Sequence, residues 1–185
     1  MKIILACLLF AAFFPLAQPT DQSAQPFRII PILNRENGYN NFPSIAFMSK
    51  TDLDSFLKET ATQTGWNHRQ EFAEALLNAN VDFSKEALVL LRHTEGSGSV
   101  QVTFETPVLQ GRNLLCEIHG KSIPPGYGVT ADMAYYCFAV AVSKAQVSQV
   151  ELQATQGGFS TRPLAPIVLP ITGKEPGNKR LQSVQ

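Results

Sequence analysis

The stretch Ala87-Leu88-Val89-Leu90-Leu91 is apolar at every position. A strand with one wet face alternates apolar and polar residues, whereas a strand covered on both faces is apolar throughout. Residues 87–91 are therefore predicted to form a central strand of a sheet. Residues 135–143 show the same pattern and are predicted to form a second such strand.

The segments between these two strands alternate with a period of two. Val100, Val102 and Phe104 alternate with polar residues, which predicts a half-buried strand. Further along, Leu114, Cys116 and Ile118 share one face of a strand, and Glu117 and His119 share the other. Short glycine-containing turns join these elements, at residues 96–98 and 110–113. A further strand is predicted over residues 147–152.

The sequence before residue 81 predicts two strands followed by two helices. The strands cover residues 27–33 and 44–48. The first helix covers residues 51–60, with Ser49 or Thr51 as its cap and acidic residues in its first turn. The second covers residues 67–79, and its apolar residues recur at helical spacing.

This order of elements predicts an α+β fold. Strands that follow helices in a run, joined by short turns, favour a mainly antiparallel sheet with the two helices of the amino-terminal half packed on one side. We expect the domain to span residues 27–155. Residues 156–185 form a Pro/Gly-rich tail in which 163–170 can dock only at a sheet edge, because its prolines lack the N–H groups of an interior strand.

The amino terminus has the pattern of an export signal. Lys2 is followed by an unbroken apolar run from Ile3 to Phe14, and Pro15 ends it before it reaches the length of a membrane-spanning helix. We expect residues 1–24 to contain a cleaved signal peptide and its cleavage region; an uncleaved anchor is the alternative. The prediction places the protein outside the cytoplasm, secreted or periplasmic, with no membrane span after cleavage.

Charge and cysteine content restrict the function further. The chain has 15 basic and 15 acidic residues and no basic block, so nucleic-acid binding, which needs a positive face, is not expected. Once Cys7 is removed with the signal, Cys116 and Cys137 remain. In an oxidising compartment the pair indicates one disulfide, and two buried free thiols are the alternative.

No residue pattern in the chain indicates catalysis or a cofactor. Cys116 and His119 have a C-x-x-H spacing, but residues three apart on a strand point to opposite faces and would not share a metal. Cys137 with His119 or His93 is the one arrangement that resembles a cysteine nucleophile and its base. Cys137 lies in an apolar strand, which favours an inert thiol. The protein is therefore expected not to be an enzyme.

The loop Pro124-Pro125-Gly126-Tyr127-Gly128 presents a tyrosine on a segment stiffened by two prolines. Rigid aromatic side chains at loop tips are frequent anchors of protein interfaces. We interpret this loop as a candidate partner-binding loop, with a purely structural loop as the alternative.

Residues 44–150 resemble a known family. The resemblance is carried by the hydrophobic strand after Val81-Asp82-Phe83-Ser84-Lys85, the alternating strand that follows, Leu114-Leu115-Cys116-Glu117-Ile118, the Pro-Pro-Gly loop, Val129-Thr130 and the strand at 137–142. This order is similar to the carboxyl-terminal domain of the PrcB family, exported subunits of bacterial protease complexes. The family's Gly-Gly-Tyr turn is replaced here by Gly98-Ser99-Val100, and its Pro-Tyr by Ala134-Tyr135.

The resemblance implies a non-enzymatic accessory domain that binds and stabilises another exported protein, such as a secreted protease. Two other hypotheses stay open from the residues. One is a small exported cysteine-dependent hydrolase, which needs a reactive thiol. The other is a small-ligand carrier, which needs a concave apolar cavity.

Overall fold

A computed structural model describes residues 25–124 and 126–171 of the chain. Its strands and helices, in chain order, are β1 (Phe27–Ile30), β2 (Ile45–Phe47), α1 (Lys50–Thr60), α2 (Arg69–Asn78), β3 (Glu86–Glu95), β4 (Val102–Phe104), β5 (Val108–Gln110), β6 (Asn113–Gly120), β7 (Ala134–Ser143), β8 (Gln149–Gln156), β9 (Arg162–Pro163) and β10 (Ile167–Pro170). The predicted signal peptide, residue Pro125 of the candidate loop and the tail beyond 171 lie outside the described residues.

The first sheet, sheet A, has the strand order β1-β7-β3-β2 and is antiparallel throughout. Its two central strands, β3 and β7, pair continuously from Glu86 opposite Ser143 to Glu95 opposite Ala134. These are the two strands that the sequence showed to be apolar on both faces, so their prediction as central strands is confirmed.

The second sheet, sheet B, has the order β10-β8-β6-β4, with β5 also paired to β6 and β9 to β8. Most of its pairs are antiparallel, but β6 and β8 run parallel. The chain leaves β6, reverses along β7 in sheet A, and returns in β8 beside β6, which makes the two strands parallel. The α+β fold is therefore confirmed, with the strands divided between two sheets.

The two sheets and the helices form three layers with two hydrophobic clusters. Alternate residues of β3 supply both: Ala87, Val89 and Leu91 pack towards sheet B, whereas Leu88 and Leu90 pack towards the helices. All five side chains have no measurable exposure. This explains why residues 87–91 carry no polar side chain.

The helices cover the outer face of sheet A through an aromatic cluster. The Ser49 hydroxyl accepts a hydrogen bond from the Asp52 N–H at 3.1 Å, so Ser49, one of the two candidate caps, is the cap of α1. The aromatic residues of the cluster are Tyr39, Phe42, Phe47, Phe56, Trp66 and Phe72. The rings meet at close range, for example Trp66 and Phe72 with centroids 5.0 Å apart.

The segment after β8 adds two strands to sheet B. β10 pairs with β8 at the edge of the sheet, from Ile167 opposite Leu152 to Pro170 opposite Gln149. Ile171 is buried behind it. β9 and β10 both lie within residues 156–185, and β10 occupies a sheet edge of the kind at which residues 163–170 were expected to dock. Among the described residues, no helix has the length and apolar character needed to cross a membrane.

The aromatic cluster predicts that two apolar residues of α2 contribute very differently to the free energy of unfolding. Phe72 is 2% exposed, whereas Leu77, on the same helix, is 48% exposed. Phe72→Ala is expected to lower the free energy of unfolding by about 3–5 kcal/mol, because it leaves a cavity among the rings. Leu77→Ala, the matched control, is expected to change it by less than about 0.5 kcal/mol. Urea unfolding followed by circular dichroism measures both; equal effects would contradict the packing.

Candidate functional site

Two loops at one end of the molecule present exposed apolar side chains. Residues 121–124 and 126–133 of one loop and 157–161 of the other, here called the paired loops, are joined by a parallel bridge between Ser122 and Gly158. The Ile123 N–H donates to the Gly158 carbonyl at 2.8 Å. Tyr127 is 69% exposed and Phe159 is 68% exposed. The candidate loop at 124–128 thus belongs to a larger surface with a second exposed aromatic residue.

The longer of the paired loops is anchored to the turn after β3. The Thr130 N–H donates to Ser99 Oγ at 3.1 Å, and the Thr130 and Ser97 hydroxyls are also 3.1 Å apart. The Gly98 N–H donates to the Asp132 carbonyl at 2.8 Å. A side-chain hydrogen bond from Thr130 also holds the pKa of Asp132 below its ordinary value. The loop therefore has fixed contacts on both sides of its exposed tip.

The tip itself is a tight turn. The Tyr127 N–H donates to the Pro124 carbonyl at 3.3 Å. Gly126 has a φ of +89°, a backbone conformation that favours glycine. Tyr127 is largely exposed at this turn, so most of its ring is in contact with solvent.

A cavity of about 360 Å³ lies beside the turn. It is lined by Ser99, Gln101, Lys121, Ser122, Ile123, Pro124, Tyr127 and Gly128. Its lining is mainly apolar, with polar groups contributed by residues such as Ser99 and Gln101. Such a combination is typical of surfaces that bind another protein.

The shorter of the paired loops is held by a buried carboxylate. Glu95, at the end of β3, has no measurable exposure. It accepts hydrogen bonds from the Gly157 N–H, at 3.0 Å to Oε2, and contacts His93 Nε2 at 2.6 Å through Oε1. A buried polar side chain is costly to leave without partners, and both oxygens of Glu95 have a hydrogen-bond partner. Glu95 thus connects sheet A to the first residue of the loop that carries Phe159.

Glycine is required where this carboxylate approaches the backbone. A Cβ atom on Gly120 would overlap Glu95 Oε1 and the Gly157 nitrogen. The last residue of β6 therefore has no side chain, and the space is filled by the Glu95 carboxylate. Glycine at position 120 allows β6, the Glu95 carboxylate and the backbone of Gly157 to approach one another closely.

The structure does not form the disulfide expected between Cys116 and Cys137. Both thiols are free and buried. Cys116 lies in the cluster between the two sheets, whereas Cys137 lies in the cluster between sheet A and the helices. Sheet A therefore separates the two sulfur atoms, a relation that strand alternation within each segment could not reveal.

The histidines considered as bases for Cys137 lie elsewhere. In the β3–β7 register, Cys137 is opposite Arg92, and His93 is opposite Tyr136, so Cys137 and His93 occupy opposite faces of sheet A. His119 lies on the outer face of β6, away from buried Cys116, as the alternation predicted. Burial raises the pKa of the Cys116 thiol to about 12 and that of Cys137 further still.

The sequence patterns did not reveal three features of the site: the burial of Glu95, the burial of His93 and the position of Phe159. His93 and Glu95 follow Ala87, Val89 and Leu91 at every second position of β3. Side chains at alternate positions of a strand share a face, so these two ionisable side chains lie on the buried face towards sheet B. Phe159 was assigned to the tail. An aromatic residue directly after Gly157-Gly158 is a signal for an exposed turn, but its proximity to residues 122–123 depends on the fold.

The Glu95 contact predicts that neutralising this side chain loosens the shorter loop. Glu95→Gln keeps the shape but replaces a charge-assisted hydrogen bond with a neutral one, which is roughly half as strong. Amide hydrogen exchange of Gly157, measured by NMR, is expected to become about tenfold faster. Glu117→Gln, on the outer face of β6, is the control and should leave the rate unchanged. An unaltered Gly157 rate in the Glu95 variant would contradict the role assigned to the carboxylate.

The raised pKa values predict two unreactive thiols. In a Cys7→Ser chain, which retains only Cys116 and Cys137, labelling by a disulfide reagent at pH 7.5 is expected to be roughly a thousandfold slower in the folded protein than in guanidinium, because the buried thiols stay protonated. Two thiols should react on unfolding without reductant. Recovery of none would instead show a disulfide, and rapid labelling of the folded protein would show an accessible thiolate.

Comparison with known proteins adds no relative from which a function can be transferred. No protein-family model matches the chain, and no curated protein or solved structure matches it. The resemblance to the PrcB family therefore rests on the sequence order described above. What the chain does has to be inferred from the exposure and contacts of the described residues.

Proposed function

We propose that the protein is an exported, non-catalytic accessory domain that binds another exported protein through the paired loops. The observation that carries this proposal is the exposure of Tyr127 and Phe159, 69% and 68%, on two loops joined by backbone hydrogen bonds. Val129 and Met133, which are 44% and 52% exposed, add apolar area on the longer loop.

The physical basis is the free energy gained when these side chains leave water. Burying an aromatic side chain removes a large apolar area, and aromatic residues account for a disproportionate share of binding energy at interfaces. The loops are already held by hydrogen bonds to Ser99, Gly98 and Glu95. Little conformational entropy is therefore lost on binding, which favours affinity.

Two features of the sequence support the compartment and the class of partner. The apolar run after Lys2 favours export, which implies a secreted or periplasmic partner. The resemblance to PrcB-type subunits implies an accessory role beside another exported protein, such as a protease. Both features are independent of the loop geometry.

The hydrolase hypothesis gains no support from the described residues. Cys137 is fully buried, and His93 and His119 lie on other faces of the sheets. Substrate would have to reach a thiol beneath the helices. We therefore do not propose cysteine catalysis for this chain.

A quantitative binding experiment tests the accessory role. Tagged full-length protein is crosslinked in its native exported fraction, the captured partner is identified and purified, and its affinity is measured. Tyr127→Ala and Phe159→Ala are each expected to weaken the partner's binding by about tenfold or more. Val108→Ala, which truncates a 54% exposed side chain on β5, is the matched control and should bind like the parent protein.

Two results would overturn the proposal. One is the absence of any reproducible partner. The other is a partner whose affinity is unchanged by both loop variants while each variant keeps the melting temperature of the parent protein. Turnover of a peptide or ester substrate that is lost in Cys137→Ala would revive the hydrolase hypothesis.

A further inference from the structure

The cavity beside the Tyr127 turn has one charged residue in its lining, Lys121. Lys121 is the first residue of the longer paired loop, and its carbonyl accepts a hydrogen bond from the Gly158 N–H of the shorter loop at 3.3 Å. We propose that the protein bound by the paired loops inserts an aspartate or glutamate side chain into this cavity, where the carboxylate pairs with Lys121. This inference rests on the proposed function and specifies the chemistry of the bound partner.

The strand register places the Lys121 side chain on the outer face of sheet B. β4 pairs with β6 as far as Val102 opposite Gly120. The Lys121 N–H then donates to the Gln101 carbonyl at 2.8 Å, which continues this pairing beyond the two strands. Alternate residues of β6, ending at Gly120, are buried towards sheet A, so Lys121 and Gln101 point outward. Both residues line the cavity, and Tyr127 lines it as well.

The Lys121 ammonium has no anionic partner among the described residues, since none of their carboxylate oxygens lies within 4.0 Å of it. Asp132 is the one acidic residue of the paired loops as defined above. Its charge already interacts with Arg35, and both side chains lie against Gly98. Glu117, on the outer face of β6, is four residues from Lys121, or about 13 Å along the strand. The charge of Lys121 is therefore available to an incoming anion.

A protein that covers the two exposed aromatic rings also removes water from Lys121. Tyr127 lines the same cavity, and Phe159 directly follows Gly158, whose N–H is bonded to the Lys121 carbonyl. An ion pair on an open surface contributes little, but a cation that loses its water without gaining an anion is costly. A carboxylate paired with it at the covered site offsets that cost. The partner is therefore expected to supply a negative charge at this point.

The rest of the surface favours an acidic side chain within a polypeptide segment. Ser99 and Gln101 add neutral hydrogen-bonding groups to the lining and no second cation, which suits a carboxylate better than a phosphate group of nearly two charges. Tyr127 and Phe159 stand on different loops. An acidic residue inside a chain has neighbours on both sides that can cover these rings, whereas a terminal carboxylate has neighbours on one side only.

Carbodiimide coupling of the full-length protein to the purified partner tests the contact directly. The reagent joins an amine to a carboxylate when the two groups are in contact, and mass spectrometry identifies the joined residues. Lys121 is expected to be joined to an aspartate or glutamate side chain of the partner. Lys121→Arg keeps the charge but has no amine to couple, so it should bind like the parent protein and lose this crosslink. Coupling to the terminal carboxylate of the partner, or no coupling at Lys121, would overturn the inference.

Calorimetry of charge variants separates this inference from the proposed function. Lys121→Glu is expected to weaken the partner's binding by about tenfold or more, and Lys121→Gln by less. Lys58→Glu makes the same charge change at an exposed position of α1 and, as the matched control, should leave the affinity unchanged. If Tyr127→Ala and Phe159→Ala weaken binding but Lys121→Glu does not, the proposed function stands and this inference is wrong. Binding that none of these loop variants changes would overturn both.

Discussion

The continuous pairing of β3 with β7 is the interaction on which the rest of the structure depends. The two strands pair over ten residues each and have hydrophobic clusters on both faces. One face supports sheet B and the other supports the helices. Burial of their apolar side chains provides the main driving force of folding, and their antiparallel ladder satisfies the backbone polar groups that this burial removes from water.

At its carboxyl end, β3 places polar rather than apolar side chains in the interior. Where the hydrophobic pattern ends, His93 and Glu95 take the inward positions of the same strand. Glu95 accepts a hydrogen bond from the Gly157 N–H and so attaches the loop that carries Phe159 to the core strand. The shorter of the paired loops is thus held in place, because Glu95 at the end of β3 contacts both His93 in sheet A and Gly157 in the loop.

The proposed binding surface lies where regular sheet pairing stops. The paired loops follow the carboxyl ends of β6 and β8. Strand ends and short edge strands leave side chains and backbone groups without ladder partners, so they are the positions at which a sandwich can bind something else.

The sequence by itself determined the elements and their burial. Apolar runs predicted β3 and β7, alternation predicted the half-buried β4 and β6, and the Ser49 cap with helical spacing predicted α1, because each of these signals is local. Only the tertiary structure decided that the strands form two sheets, that Cys116 and Cys137 lie on opposite sides of sheet A, and that Phe159 lies on the loop beside 122–123. These relations join segments far apart in the chain, and a periodicity within one segment contains no information on which other segment it meets.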